Sequence, residues 1–145
     1  MADLPSRLSR VARVVASMRT VIVTGGRNYQ RTDLVWAALD YLQPGVRLVG
    51  GAPGADRAAR EWARARGVRL FVFEADWYEY GRAAGPMRNR EMVSRACMLR
   101  GNGREVIPIR FPGGRGTYDC VKQLTAADFE VLDGEAVPGY AGRIP

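Results

Sequence analysis

The chain has 145 residues, 47% of them hydrophobic and 26% charged, with a formal net charge of +7. That length suits one domain able to bury a real core, and the composition is not that of a disordered chain. There is no histidine, which removes His-based acid–base pairs, Ser/His/Asp and Cys/His triads, and nearly all His-ligated metal sites.

The first element is an extension over residues 1–17. Leu4, Leu8, Val11, Val15 and Met18 recur at helical spacing, with Arg7, Arg10 and Arg13 between them. The charges interrupt it too often for a signal peptide, so an amphipathic helix is expected. Thr20 to Thr24 is a β-branched run that reads as a buried parallel strand opening into Gly25-Gly26. Thr32 or Asp33 begins a helix to about Leu42, which Pro44-Gly45 stops. Val46 to Val49 is a second strand. It ends in Gly50-Gly51-Ala52-Pro53-Gly54, and a helix from Ala55 to Arg66 follows, with Gly67 at its end.

Val68 to Phe73 is the third strand, and Glu74 to Gly85 is irregular. Pro86 suits the first turn of a helix reaching about Leu99. Val106 to Phe111 is a fourth strand, with Pro108 a mild objection. The loop Pro112 to Thr117 leads into a helix to about Leu124, and Phe129 to Leu132 is a last short strand. Strands alternating with helices predict an α/β, Rossmann-like three-layer sandwich with a mostly parallel sheet. One domain is expected over residues 18–133, followed by a tail at 134–145.

All the cations except Lys122 are arginines. The arginine fork suits phosphate, but codon use in a GC-rich genome gives the same excess, so position decides. Gly25, Gly26 and Arg27 follow the first strand. Gly50, Gly51 and Gly54 precede Asp56 and Arg57 at a helix start, where backbone N–H groups and the helix dipole attract anions. No Gly-Lys-Ser/Thr follows, so this is not a P-loop. Arg88 and Asn89, with Arg90 after them, fall in a helix's first turn, where cations oppose the dipole and an anionic ligand would explain them. Gly113, Gly114, Arg115, Gly116 and Thr117 form a second glycine-rich cradle. Asp76 and Trp77 pair an acid for a ribose or base edge with a ring for stacking. Each has a plainer reading: a tight turn, a first-turn helix acid, a solvated face, a lid tryptophan.

Taken in order, TVIVTGGRNY, GGAPGADRAAREWA, ADWYEYGRAAGPMRNREM and FPGGRGT resemble the YspA-type domain of the SLOG superfamily, over about Met18 to Leu124. The resemblance implies a Rossmann-like fold, a nucleotide or ADP-ribose-like ligand, and a homodimer. Related phosphoribohydrolases carry a Met-x-x-Arg-Lys stretch with a catalytic arginine; Met87 and Arg90 match its spacing, and Glu91 stands in place of the lysine. Their catalytic glutamate corresponds here to Cys120, with Asp119 one residue before, so Asp56, Arg90 and Asp119 are the candidate catalytic groups. DNA-processing protein A is similar at Arg88-Asn89-Arg90 and Gly54-Ala55-Asp56, which adds single-stranded nucleic-acid binding as a third reading. The expected function is binding of a phosphate-bearing nucleotide, with N-glycosidic hydrolysis second. No residue set asks for a metal or a cofactor. No apolar run reaches the roughly 18 residues of a membrane span, so no membrane partner is expected. Cys97 and Cys120 do not resemble a disulfide framework, and a cytoplasmic setting is expected.

Overall fold

A computed structural model describes residues 19–50 and 54–140. Five strands form one sheet: β1 (Arg19–Thr24), β2 (Val46–Gly50), β3 (Arg69–Phe73), β4 (Glu105–Arg110) and β5 (Leu132–Asp133). Their order is β3-β2-β1-β4-β5, and every neighbouring pair is parallel. Three longer helices are α1 (Thr32–Leu42), α2 (Ala55–Arg66) and α4 (Ala84–Gly101), with a one-turn α3 (Trp77–Tyr80) before the last. A further helix, α5, spans Arg115–Ala126.

β1 is central, and it is apolar on both faces because both faces are covered. Val21 and Val23 point one way and Ile22 the other, as the two-residue period of a strand requires; all three are fully buried. Val21 and Val23 join Val35, Leu39 and Leu42 of α1 and Ala59 and Trp62 of α2. Ile22 joins Met92, Val93 and Ala96 of α4 and Cys120 and Leu124 of α5. The sheet therefore lies between two helical layers, the expected α/β sandwich.

Local chemistry sets the helix ends. Gln43 takes a left-handed conformation (φ 49°) and closes α1 just before Pro44. Gly67 does the same for α2 at φ 66°, as its place in the sequence predicts. Trp62 donates from Nε1 to Asp40 Oδ1 at 2.8 Å, tying α2 to α1. Pro108 is tolerated because β5 pairs β4 only at Ile109 and Arg110, which leaves slack for the missing N–H.

Several elements differ from the sequence expectation. The stretch after β3 is not wholly irregular: Asp76 Oδ1 accepts from Glu79 N at 3.0 Å and starts α3. A 3-10 turn, Gly81–Ala83, then carries the chain straight into α4, so that helix begins before Pro86. Proline is still accommodated, since a first-turn N–H has no helical partner to lose. Phe129 is not in a strand: it is buried under the Arg100 guanidinium, 4.0 Å from the ring centroid. The expected tail includes a 3-10 segment, Gly134–Tyr140, whose Val137 is fully buried against the α1 face. The N-terminal helix expected over residues 1–17 lies outside the described residues. Among the described residues, no helix is long and apolar enough to cross a membrane.

Candidate functional site

The crossover from β1 to the right of the sheet and from β1 to the left places the switch in strand order between β1 and β4. Loops diverge there at the carboxyl ends of the strands, which is where open α/β sheets bind ligands. The two glycine-rich loops meet at this point. Gly26 N donates to Pro112 O at 2.9 Å, and Phe111 N donates to Thr24 O at 2.8 Å. A Cβ on Gly26 would lie 2.8 Å from Gly113 Cα and 3.0 Å from Pro112 O. Backbone meets backbone here, so glycine is needed for the fold itself. Gly114 and Gly116 are different: a Cβ at either would touch nothing within 4 Å. The fold does not require glycine there.

A cleft of about 1190 Å³ opens above this junction. One wall is the N-terminus of α5, whose first turn offers backbone N–H groups with no helical partner and the positive end of the helix dipole. Gly113, Gly114, Arg115, Gly116 and Thr117 all line it. Arg27, Arg82, Arg88 and Arg115 bring positive charge from four segments. Among the described residues, none of these four forms an ion pair; the pairs found involve Arg19, Arg31, Arg57 and Arg66.

The floor comes from α4. Asn89 is 2% exposed. Its Nδ2 donates to Gly116 O at 3.1 Å and to Asp119 Oδ2 at 3.0 Å, and its Oδ1 accepts from Arg88 Nε at 2.9 Å. Gln123 Nε2 also donates to Asp119 Oδ2, at 2.8 Å. One buried amide thus fixes the arginine, the carboxylate and the turn of α5. Gly50 leaves room for this floor: a Cβ there would sit 2.8 Å from both Arg88 Nη1 and Asp56 Oδ2. Asp56, 4% exposed, belongs to the first turn of α2, where the helix dipole favours a carboxylate.

Comparison with known proteins places this arrangement. The model of the YspA, cpYpsA-related SLOG family matches residues 19–80. A curated relative, the Gene 61 protein of Mycobacterium phage D29, is 38% identical over 128 residues, covering 80% of this chain and 96% of that protein. The chain belongs to the YspA-type SLOG family. Membership supports a nucleotide-related binding or processing role at a coarse level. The matched segment holds the first glycine loop, Asp56 and Trp77, while Arg88, Asn89 and the α5 cradle lie beyond it.

Most of the residues singled out from the sequence meet in this SLOG cleft. Gly25, Gly26, Arg27, Gly50, Asp56, Trp77, Arg88, Asn89, Asp119 and the α5 cradle line it. Four do not. Arg90 follows the buried Asn89 and points to solvent, because successive helix residues face about 100° apart. Arg57 is likewise exposed and lies 3.8 Å from Glu61. Asp76 is taken up in capping α3. Gly54 lies behind the cleft at φ 84°, its backbone packed on Gly26 and Arg27. Gly51 lies outside the described residues. The helix position of Arg88 and Asn89 is also corrected, from the first turn to the second, since α4 begins at Ala84.

The sequence reading missed Tyr29, Glu74 and Arg82, which also line the cleft. Tyr29 packs its ring on Phe111 at 5.3 Å and donates its hydroxyl to Glu135 Oε2 at 2.7 Å. Burial and that carboxylate hold its hydroxyl well above the usual phenol range. Cys120, at the position of the related enzymes' glutamate, is fully buried, and burial pushes its thiol up to about 11. It is not positioned to replace a carboxylate.

Proposed function

We propose that this SLOG domain binds a phosphate-bearing nucleotide, with the phosphate on the α5 N-terminus and the Gly25-Gly26 loop. The observation that carries this is Gly116. Nothing in the fold asks for glycine in that helical turn, yet it lines the cleft beside Arg115 and Thr117. A ligand that must approach the backbone closely supplies the reason. Arg88 and Arg115 neutralise the phosphate, and Asp56 holds a sugar hydroxyl.

The test is calorimetric titration of the full chain with nucleoside mono- and diphosphates. Arg115→Ala and Arg88→Ala are each expected to cost about 1.5–3 kcal/mol of affinity, the worth of a charged hydrogen bond. Arg90→Ala is expected to leave affinity unchanged. Equal losses in all three would sink the assignment.

A second reading is hydrolysis of the N-glycosidic bond. It is favoured by Asp119, whose Oδ2 is held by two amide donors while it lines the cleft, with Asp56 also in the lining. An oxocarbenium-like sugar needs such an oriented carboxylate. Incubating each bound nucleotide and assaying free base decides it: release that Asp119→Asn abolishes makes the domain a hydrolase, and intact ligand makes it a binding module.

A further inference from the structure

At the carboxyl end of β3 the cleft holds a group that the phosphate cradle does not use: Glu74, Trp77 and Arg82. The Trp77 indole lies against the start of α4, where a Cβ on Gly85 would come 3.0 Å from its Cη2. It is nevertheless 51% exposed, so an aromatic surface stands open. Glu74 and Arg82 are exposed too, and among the described residues neither forms an ion pair. At about 1190 Å³ the cleft exceeds the roughly 300–1,000 Å³ of ordinary small-molecule sites, which leaves room beyond a phosphate and a sugar.

We infer that this end is a nucleobase compartment and that it selects guanine, an inference that rests on the nucleotide reading above. The Glu74 carboxylate only accepts hydrogen bonds and the Arg82 guanidinium only donates them. Guanine presents two adjacent donors, N1–H and the 2-amino group, and two adjacent acceptors, O6 and N7, which arginine matches bidentately. Adenine sets its N1 acceptor beside its amino group, against the carboxylate. Cytosine does the same with N3, and uracil flanks its single N–H with carbonyls. Guanine alone gives both side chains a pair of matching partners. Trp77 stacks on any base and supplies affinity without discrimination.

The experiment is titration of the full chain with the mono- and diphosphates of guanosine, inosine, adenosine and uridine, and with inorganic phosphate. Guanosine nucleotides are expected to bind about tenfold or more tightly than adenosine and uridine nucleotides, with inosine, which lacks the 2-amino group, between them. Glu74→Gln is expected to shrink the guanosine preference to about threefold or less while leaving phosphate affinity unchanged. Trp77→Ala weakens all four nucleotides alike. Glu74 and Arg82 are exposed, so their variants keep the parent melting temperature, while Trp77→Ala, which also uncovers the start of α4, is read by the inorganic phosphate affinity it leaves unchanged. Equal affinity for guanosine and adenosine nucleotides, still sensitive to Arg115→Ala, overturns the guanine compartment and leaves the phosphate cradle standing. Failure of every nucleotide and of phosphate to bind overturns both.

Discussion

Two glycines of the same cleft should respond to alanine with opposite signs. At Gly26 the new Cβ would meet Gly113 Cα at 2.8 Å and Pro112 O at 3.0 Å. Both are backbone atoms tied down by the Gly26 N to Pro112 O bond at 2.9 Å, so neither loop yields cheaply. Overpacking of this kind costs about 1–3 kcal/mol. For a domain of this size that lowers Tm by about 3–9 °C, at about 3 °C per kcal/mol. At Gly116 the Cβ touches nothing within 4 Å, and the residue lies inside α5. Alanine there is expected to stabilise by about 0.5–1 kcal/mol, because glycine loses more backbone entropy in a helix. Both variants should lose nucleotide affinity, since both alter the cradle. Denaturant melts of the two variants, followed by titration, separate the cases. If Gly116→Ala is destabilised as much as Gly26→Ala, or if it gains stability and binds nucleotide as well as the parent, then glycine at 116 is not explained by ligand approach.

Asn89→Ala removes the amide that joins α4 to α5 and leaves buried groups short of partners; a loss of about 2–3 kcal/mol is expected in urea melts, with weaker nucleotide binding as Arg88 loses its anchor. The Cys120 thiol, raised from 9.0 to about 11, is protonated in the folded state at pH values where an unfolded chain has begun to ionise. Its contribution is therefore complete below pH 9 and disappears as pH rises through 11. The stability gap between parent and Cys120→Ala should narrow over that window, and a gap constant with pH would refute the burial argument. Val137→Ala is expected to cost about 1–2 kcal/mol, because this fully buried side chain packs on the α1 face. A free tail would show no change in the same melt.

Much of the fold was legible because its signals are local. TVIVT reads as a doubly buried strand since every position is apolar or β-branched, and Gly67 marks a helix end because only a left-handed residue fits. The loop before α5 was legible as a glycine-rich turn, and the structure separates its glycines: a Cβ on Gly113 would lie 2.6 Å from Gly26 N, whereas one on Gly114 or Gly116 would touch nothing within 4 Å. What escaped was relational. Arg90 looks as suited to phosphate as Arg88, and only the rotation of α4, fixed by where α3 and the 3-10 turn deliver the chain, separates them. Asp76 was read as a ligand group, but the same short side chain caps a turn. Glu74, Arg82 and Tyr29 sit in no motif. They reach the cleft because β3 ends beside it and because Glu135, 106 residues from Tyr29, holds the tyrosine in place. The buried Val137 escaped because one valine in a glycine-rich stretch carries no periodicity.

The pairing of β1 with β4 has a consequence for how the chain can be made. β1 meets β4 over six positions, and Arg19 reaches Glu105 across 86 residues at 2.5 Å. The seam at the middle of the sheet thus joins the beginning of the domain to its far half. Residues 19–80, which carry the family match, end with one side of β1 bare. During synthesis the β4 side of β1, a row of backbone N–H and C=O groups, stays unpaired until the chain through Arg110 has left the ribosome. The middle of the sheet therefore closes only when the far half of the chain arrives, and residues 19–80 by themselves leave β1 as an edge strand.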